Sequence, residues 1–200
     1  KGPFAADLHE SPQENLVWRA AQSLAQEANV KMCARITLHK NLPVASGLGG
    51  GSSDAAATLL GLTQLWGLTA SMETLENIAS RLGADVAACL YRRPLCMEGI
   101  GEKITPVENF PGFPAVLANP GVPTPTAAVF KLFGHAFRAS AALPQGTTAP
   151  SWISALKDCG NDLTPVAIAT TPAIAGALTA LEKTENCLRS EERRVGKECR

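Results

Sequence analysis

The stretch Pro43-Val44-Ala45-Ser46-Gly47-Leu48-Gly49-Gly50-Gly51-Ser52-Ser53-Asp54 decides how the rest of this 200-residue chain is read. Glycines without Cβ atoms let the backbone approach a ligand closely and turn several N–H groups the same way. Ser52 to Trp66 then follows as a segment apolar nearly all round, which predicts a buried helix. The amino end of that helix points unsatisfied N–H groups and a positive dipole end into the same place. The hydroxyls of Ser52 and Ser53 can bind a phosphate oxygen or a Mg²⁺ ion. Together these features make an anion cradle for a polyphosphate. No Gly-Lys-Ser/Thr follows, so the loop is not a Walker A motif, and Ser52 stands where GxGxxG has its third glycine. A plain glycine turn before a core helix is the rival reading.

Working outward, Ser11-Pro12-Gln13-Glu14 reads as a helix start, with Ser11 as N-cap and Glu14 closing a capping box. Val17, Ala20, Ala21, Leu24 and Ala28 continue it as one apolar face. From Met32 to His39 the period changes to two, which predicts a half-buried strand. Ser71 can cap a further helix with Leu75, Ile78, Ala79 and Leu82 on its inner face and Gly83 as its stop. Ala115 to Ala118 reads as a short buried strand closed by Asn119-Pro120-Gly121. Thr124-Pro125 opens a helix through Phe130 and Phe133, and residues 139–150 read as loop. Helices and strands mixed without a regular βαβ rhythm predict an α+β fold.

Composition narrows the function. Apolar residues make up 46% and charged residues 18% of the chain, enough for a real core and too ordered a balance for disorder. Eighteen basic side chains balance eighteen acidic ones, which argues against a nucleic-acid-binding face but not against one small anionic ligand. Six cysteines show no CxxC and no His at metal spacing, so they read as free thiols of a reducing cytoplasm, with Cys89 buried. The uncharged stretch Leu163 to Leu181 contains Pro165, Pro172 and Gly176, and reads as helices with a break between them, not as a membrane span.

The loop, extended to Pro-x-x-x-Gly-Leu-Gly-Gly-Gly-Ser-Ser-Asp-Ala-Ala, resembles the phosphate loop of the GHMP small-molecule kinases. More narrowly, it resembles the branch of 4-diphosphocytidyl-2-C-methyl-D-erythritol kinases. Asn15-Leu16-Val17, Lys40-Asn41-Leu42-Pro43, Leu65-Trp66, Leu82-Gly83-Ala84-Asp85-Val86, Glu98-Gly99-Ile100-Gly101-Glu102, Asn119-Pro120-Gly121 and Asn161-Asp162-Leu163 fall in that family's order. The likeness runs from about Asn15 to Leu188. It implies a GHMP fold in two lobes, with residues 1–120 as a ribosomal-protein-S5-like nucleotide lobe and 121–188 as part of the C-terminal lobe.

The resemblance implies transfer of the ATP γ-phosphoryl group, with Mg²⁺ as cofactor, to the 2-hydroxyl of a cytidylyl-methylerythritol in isoprenoid biosynthesis. Asp85 is then the catalytic base and touches the acceptor, although an Asp after Gly-Ala also reads as a cap or turn residue. Pro43 to Ser53 would hold the nucleotide phosphates, Ser52 or Ser53 the Mg²⁺, Lys40 a site near the nucleotide, and Asn15 the adenine side. Plain alternatives for the last two are a solvated Lys and a helix cap. Thr126 and Phe130 align with cytidine-side contacts, Phe130 by stacking, with a core Phe as the rival. Ala87-Ala88 departs from the family, which usually has Pro and a bulky apolar residue there.

The family's opening Pro-Ala-Lys-Leu-Asn segment, its Tyr-His pair and its Gly-Ser-Gly-Ala loop do not occur in the chain. The sequence therefore reads as a fragment interrupted at both ends, expected to be weak or inactive as a catalyst alone. Residues 189–200, rich in Arg and Glu with only Val195 aliphatic, read as a non-native tail that the fold does not need. Another GHMP kinase acting on a different alcohol, or a nucleotide-binding fragment without turnover, are the alternatives. The expected partner is a small-molecule substrate, with no nucleic acid and no membrane.

Overall fold

Asn15, not Ser11, caps the first helix. Its Oδ1 accepts from the Val17 N–H at 3.0 Å, and α1 runs Leu16–Glu27. Ser11 and Glu14 form only a turn ahead of it, in which the Ser11 N–H donates to the Glu14 carboxylate at 3.1 Å. The local chemistry of a capping box is therefore present, but Asn15 sits nearer the apolar run and takes the cap. The structure, a computed structural model, describes residues 1–8, 11–44, 47–99, 101–122, 124, 126–134, 137, 144 and 148–185. The proposed tail at 189–200 lies outside the described residues.

The chain divides into two compact units, the first comprising Lys1–Leu95 and Ile100–Pro106. In it α1 packs against α2 (Gly50–Leu65) and α3 (Met72–Leu82), while α4 (Ala84–Tyr91) packs against α2 and α3. Leu24, Leu59, Ile78, Val86 and Leu90 are its fully buried large side chains. Ser71 caps α3 as its sequence predicts, accepting from the Thr74 N–H at 3.1 Å, and Leu75, Ile78 and Ala79 are buried. Helix α2 begins two residues earlier than Ser52. It is buried on one face only, through Ala55, Ala56, Leu59 and Leu62, and Leu65 is 67% exposed. Its alanines and glycine make it apolar without making it core.

Met32 to His39 is not a strand here. Its alternation is real, but no described strand pairs with it, and Ile36 stays 40% exposed. Ala115 to Ala118 is likewise neither strand nor buried, with Val116 76% exposed. An apolar run supplies β propensity, but only a partner edge supplies the ladder. The strands that do pair are β1 (Leu95–Glu98) and β2 (Lys103–Pro106), a two-stranded sheet that keeps the α+β class.

The second unit, Cys96–Gly99 and Val107–Arg200, contains α5 (Thr126–Leu132), α6 (Ala149–Asp158), α7 (Thr164–Thr170) and α8 (Ala173–Glu182). Val129, Leu163, Ala167 and Ile174 form its core. Helix α6 starts inside the stretch expected to be loop, with Thr148 at its N-cap and Pro150 in its first turn as the signal missed, and buries Trp152 with its ring centroid 4.8 Å from that of Phe110. The expected break between α7 and α8 falls at Thr171–Pro172. Among the described residues no helix is long and apolar enough to cross a membrane. Cys89 is half-buried instead of buried, and none of the described cysteines is in a disulfide.

The packing of the helical unit can be tested at two positions. Leu59→Ala removes a side chain with no exposure from the middle of α2, so it should cost about 2–5 kcal/mol in denaturant unfolding. The Tyr91 hydroxyl donates to Glu76, joining α4 to α3. That hydrogen bond, then burial, then the Glu76 charge raise the phenol above its ordinary value of 10.0. Because the fold favours the neutral phenol, this contribution is complete below pH 10 and disappears as pH rises through the raised value. Alkaline unfolding curves should therefore show a steeper loss of stability for the wild type than for Tyr91→Phe.

Candidate functional site

Helix α2 opens on glycine. Gly49 takes the N-cap position with φ 67° and ψ 19°, a left-handed conformation that non-glycine residues adopt at a cost. No side chain caps the helix, so its first N–H groups are left for something else. The residues that carry them line a cleft of about 590 Å³. Of the residues expected to hold phosphates, Pro43, Val44, Gly47, Leu48, Gly49, Gly50, Gly51 and Ser52 line this cleft. Ser53 is exposed and does not line it, and Ala45 and Ser46 lie outside the described residues.

Asn15 and Lys40 also line the cleft, from α1 and from the segment before the loop. Asn15 spends its Oδ1 on the helix cap, so its plain reading is correct and its place in the cleft is additional. Lys40 is different. It is 8% exposed, which removes the reading of a solvated lysine. Its Nζ lies 3.4 Å from where a Cβ on Gly50 would stand, against the amino end of α2. Among the described residues no carboxylate or hydrogen-bond acceptor partners this ammonium. A buried cation beside the positive end of a helix is unfavourable on its own. An anion in the cleft would satisfy both at once.

Sequence patterns did not assign Asp7, Glu14, Arg19 or Asp54 to the site, and these also line the cleft. Arg19 stands four residues after Asn15 on α1, hence on the same helix face, and that spacing was the available signal. Asp85 occupies the first turn of α4, after the N-cap Gly83, where a carboxylate favours the helix dipole. It is half-buried and does not line the cleft around the loop. Thr126 is the first residue of α5 in the second unit, and Phe130 on the same helix is 39% exposed, so it is not a core ring. Among the described residues no three His, Cys, Asp or Glu side chains gather as a metal cage.

Gly49→Val tests the cradle directly. A β-branched side chain at φ 67° is strained and obstructs the approach to the α2 N–H groups. Titration calorimetry with tripolyphosphate should show affinity falling by about tenfold or more, given the roughly 1–2 kcal/mol cost of the left-handed conformation.

Comparison with known proteins agrees with this geometry. Residues 15–93 match the GHMP kinases N terminal domain. The chain is 46% identical over 205 residues to the 4-diphosphocytidyl-2-C-methyl-D-erythritol kinase of Parvibaculum lavamentivorans, covering 99% of this chain and 69% of that protein. It is 44% identical over 189 residues to the kinase of the same name from Sinorhizobium medicae, covering 90% of this chain and 62% of that protein. A crystal structure of 4-(cytidine 5'-diphospho)-2C-methyl-D-erythritol kinase matches with a TM-score of 0.67 at 31% identity, over 86% of this chain and 64% of the other. The chain thus spans between 62% and 69% of the length of these relatives. With an uncapped glycine-led helix, a lysine buried against it and these relatives, the chain belongs to the GHMP kinases, in the branch of the 4-diphosphocytidyl-2-C-methyl-D-erythritol kinases.

Proposed function

We propose that this protein transfers the γ-phosphoryl group of ATP to the 2-hydroxyl of 4-diphosphocytidyl-2-C-methyl-D-erythritol, a step of non-mevalonate isoprenoid biosynthesis in the cytoplasm. The observation that carries the phosphate half of this reading is the unpartnered Lys40 ammonium, buried against the uncapped amino end of α2. The shared name of the relatives supports the acceptor half. The same reading takes residues 1–120 as the nucleotide lobe and 121–188 as part of the C-terminal lobe.

The donor set fits a nucleoside triphosphate with Mg²⁺. Backbone N–H groups from Gly49 to Ser52 supply neutral donors, Lys40 supplies the charge, and Asn15 and the α1 face offer a wall for the base. Mg²⁺ commonly arrives on phosphates with few protein ligands, and Ser52, which lines the cleft, would offer it a hydroxyl. Bound Mg²⁺ would spread the charge that develops on the transferred group.

Phosphoryl transfer asks the protein mainly for positioning and charge stabilisation. In this reading Lys40 and the α2 N–H groups hold the phosphates still. Asp85 accepts the proton of the acceptor hydroxyl as the new O–P bond forms and the bond to ADP breaks. Thr126 and Phe130 serve the cytidine, Phe130 by presenting an exposed ring for stacking.

The test is ADP release by full-length protein carrying this sequence, with Mg-ATP and the cytidylyl substrate. Turnover with that alcohol and not with homoserine or mevalonate is the expected result. ATP affinity without ADP release would make the chain a nucleotide-binding module instead. Asp85→Asn should lower kcat by about 10²–10⁴-fold, the usual contribution of a general base, and leave ATP affinity nearly unchanged. Normal turnover by that variant would assign the base to another residue.

A further inference from the structure

We infer that Gly2 is a positioning residue of the phosphate site, because it lets the segment Lys1–Phe4 clamp the backbone of Lys40 and hold its ammonium over the amino end of α2. The inference rests on the reading of Lys40 as a phosphate ligand. The Lys40 N–H donates to the Lys1 carbonyl at 2.7 Å, and the Lys40 carbonyl accepts from the Phe4 N–H at 3.2 Å. The Lys1 nitrogen donates in turn to the Leu38 carbonyl at 2.9 Å. Both backbone groups of Lys40 are thus held by one short strap.

Gly2 lies between the two contacts, with φ +102°. A Cβ there would stand 2.5 Å from the Lys40 carbonyl oxygen and 2.9 Å from its carbonyl carbon and nitrogen. Those atoms are backbone and cannot swing aside, so any other L-residue must break the clamp. The clamp matters because residues 32–39 form no ladder with any described strand. A lysine stem has four rotatable bonds, so an ammonium held in one place needs a fixed Cα beneath it. The same strap continues into the 3-10 turn Ala5–Asp7, and Asp7 and Leu8 line the cleft beside Lys40.

A double-mutant cycle separates positioning from general support of the fold. Mg-ATP affinity is measured by calorimetry on full-length protein for wild type, Gly2→Ala, Lys40→Met and the double variant. Lys40→Met should weaken binding by about 10–100-fold, the range of a charge-assisted hydrogen bond. Gly2→Ala should weaken it by roughly tenfold, with KM for ATP rising by a larger factor than kcat falls, and should add almost nothing on top of Lys40→Met. Phe4→Pro removes the N–H that Lys40 accepts from, without adding a Cβ at Gly2, and should repeat the pattern if Gly2→Ala folds poorly. Wild-type affinity in Gly2→Ala beside weakened binding in Lys40→Met would overturn the inference and leave the phosphate reading standing. Fully additive losses in the double variant would also overturn it, because Gly2 would then be supporting the fold and not Lys40. Wild-type affinity in Lys40→Met would overturn the phosphate reading and the inference with it.

Discussion

A lysine ammonium buried against the amino end of a helix sets two positive charges face to face, and the packing of the first unit holds both in place. The amino end of a helix carries roughly half a unit of positive charge on its free N–H groups. Lys40 brings a full charge to the same place, with no described partner. Neither side can withdraw. Helix α2 is fixed by Ala55, Ala56, Leu59 and Leu62 in the core, and Lys40 is fixed by its backbone bonds to Lys1 and Phe4. A site whose positive groups are held in place before a ligand arrives need not reorganise to bind an anion, and this is what phosphoryl transfer asks of a protein.

The parts of this fold that could be read from sequence are those whose causes are local. Ser71 caps α3 because its hydroxyl reaches the Thr74 N–H three residues on, and nothing distant bears on that bond. The break at Pro172 is equally local, since proline cannot continue a helix. The misreadings share the opposite property. Met32 to His39 has the alternation of a strand, but a strand is a relation between two segments, and no described segment supplies the second. Val116 and Leu117 are apolar and exposed for the same reason. Ser11 and Asn15 competed for one cap, and the winner was set by which of them adjoined the apolar face at Leu16 and Val17.

The site divides along the same line. Its glycine loop was legible because the cradle is contiguous, and the residues that build it are the residues that name it. Lys40 was legible only by resemblance. Its backbone is held by Lys1 and Phe4, some forty residues earlier in the chain, and no spacing rule links those positions. Arg19 and Glu14 enter the cleft because α1 packs beside α2, a tertiary fact that helical periodicity hints at but does not establish.

The charges around the cleft decide which of these groups matters for an anion. Asp7, Glu14 and Asp54 line the cleft together with Arg19 and Lys40, so the lining side chains carry more acid than base. Counting charges would therefore make the cleft unsuited to a polyphosphate. Exposure weighs against that conclusion for every lining acid except Asp54, which is half-buried. Asp7, Glu14 and Arg19 are exposed, where water and salt screen them over about 8–10 Å. Lys40 is buried, and so interacts with a neighbouring phosphate through a medium of much lower effective dielectric. The α2 N–H groups need no net charge at all, since their dipoles are fixed by the helix. In the proposed reading, selectivity for phosphate would come from an unscreened cation and a set of oriented amides, which a chain of zero formal net charge can supply locally.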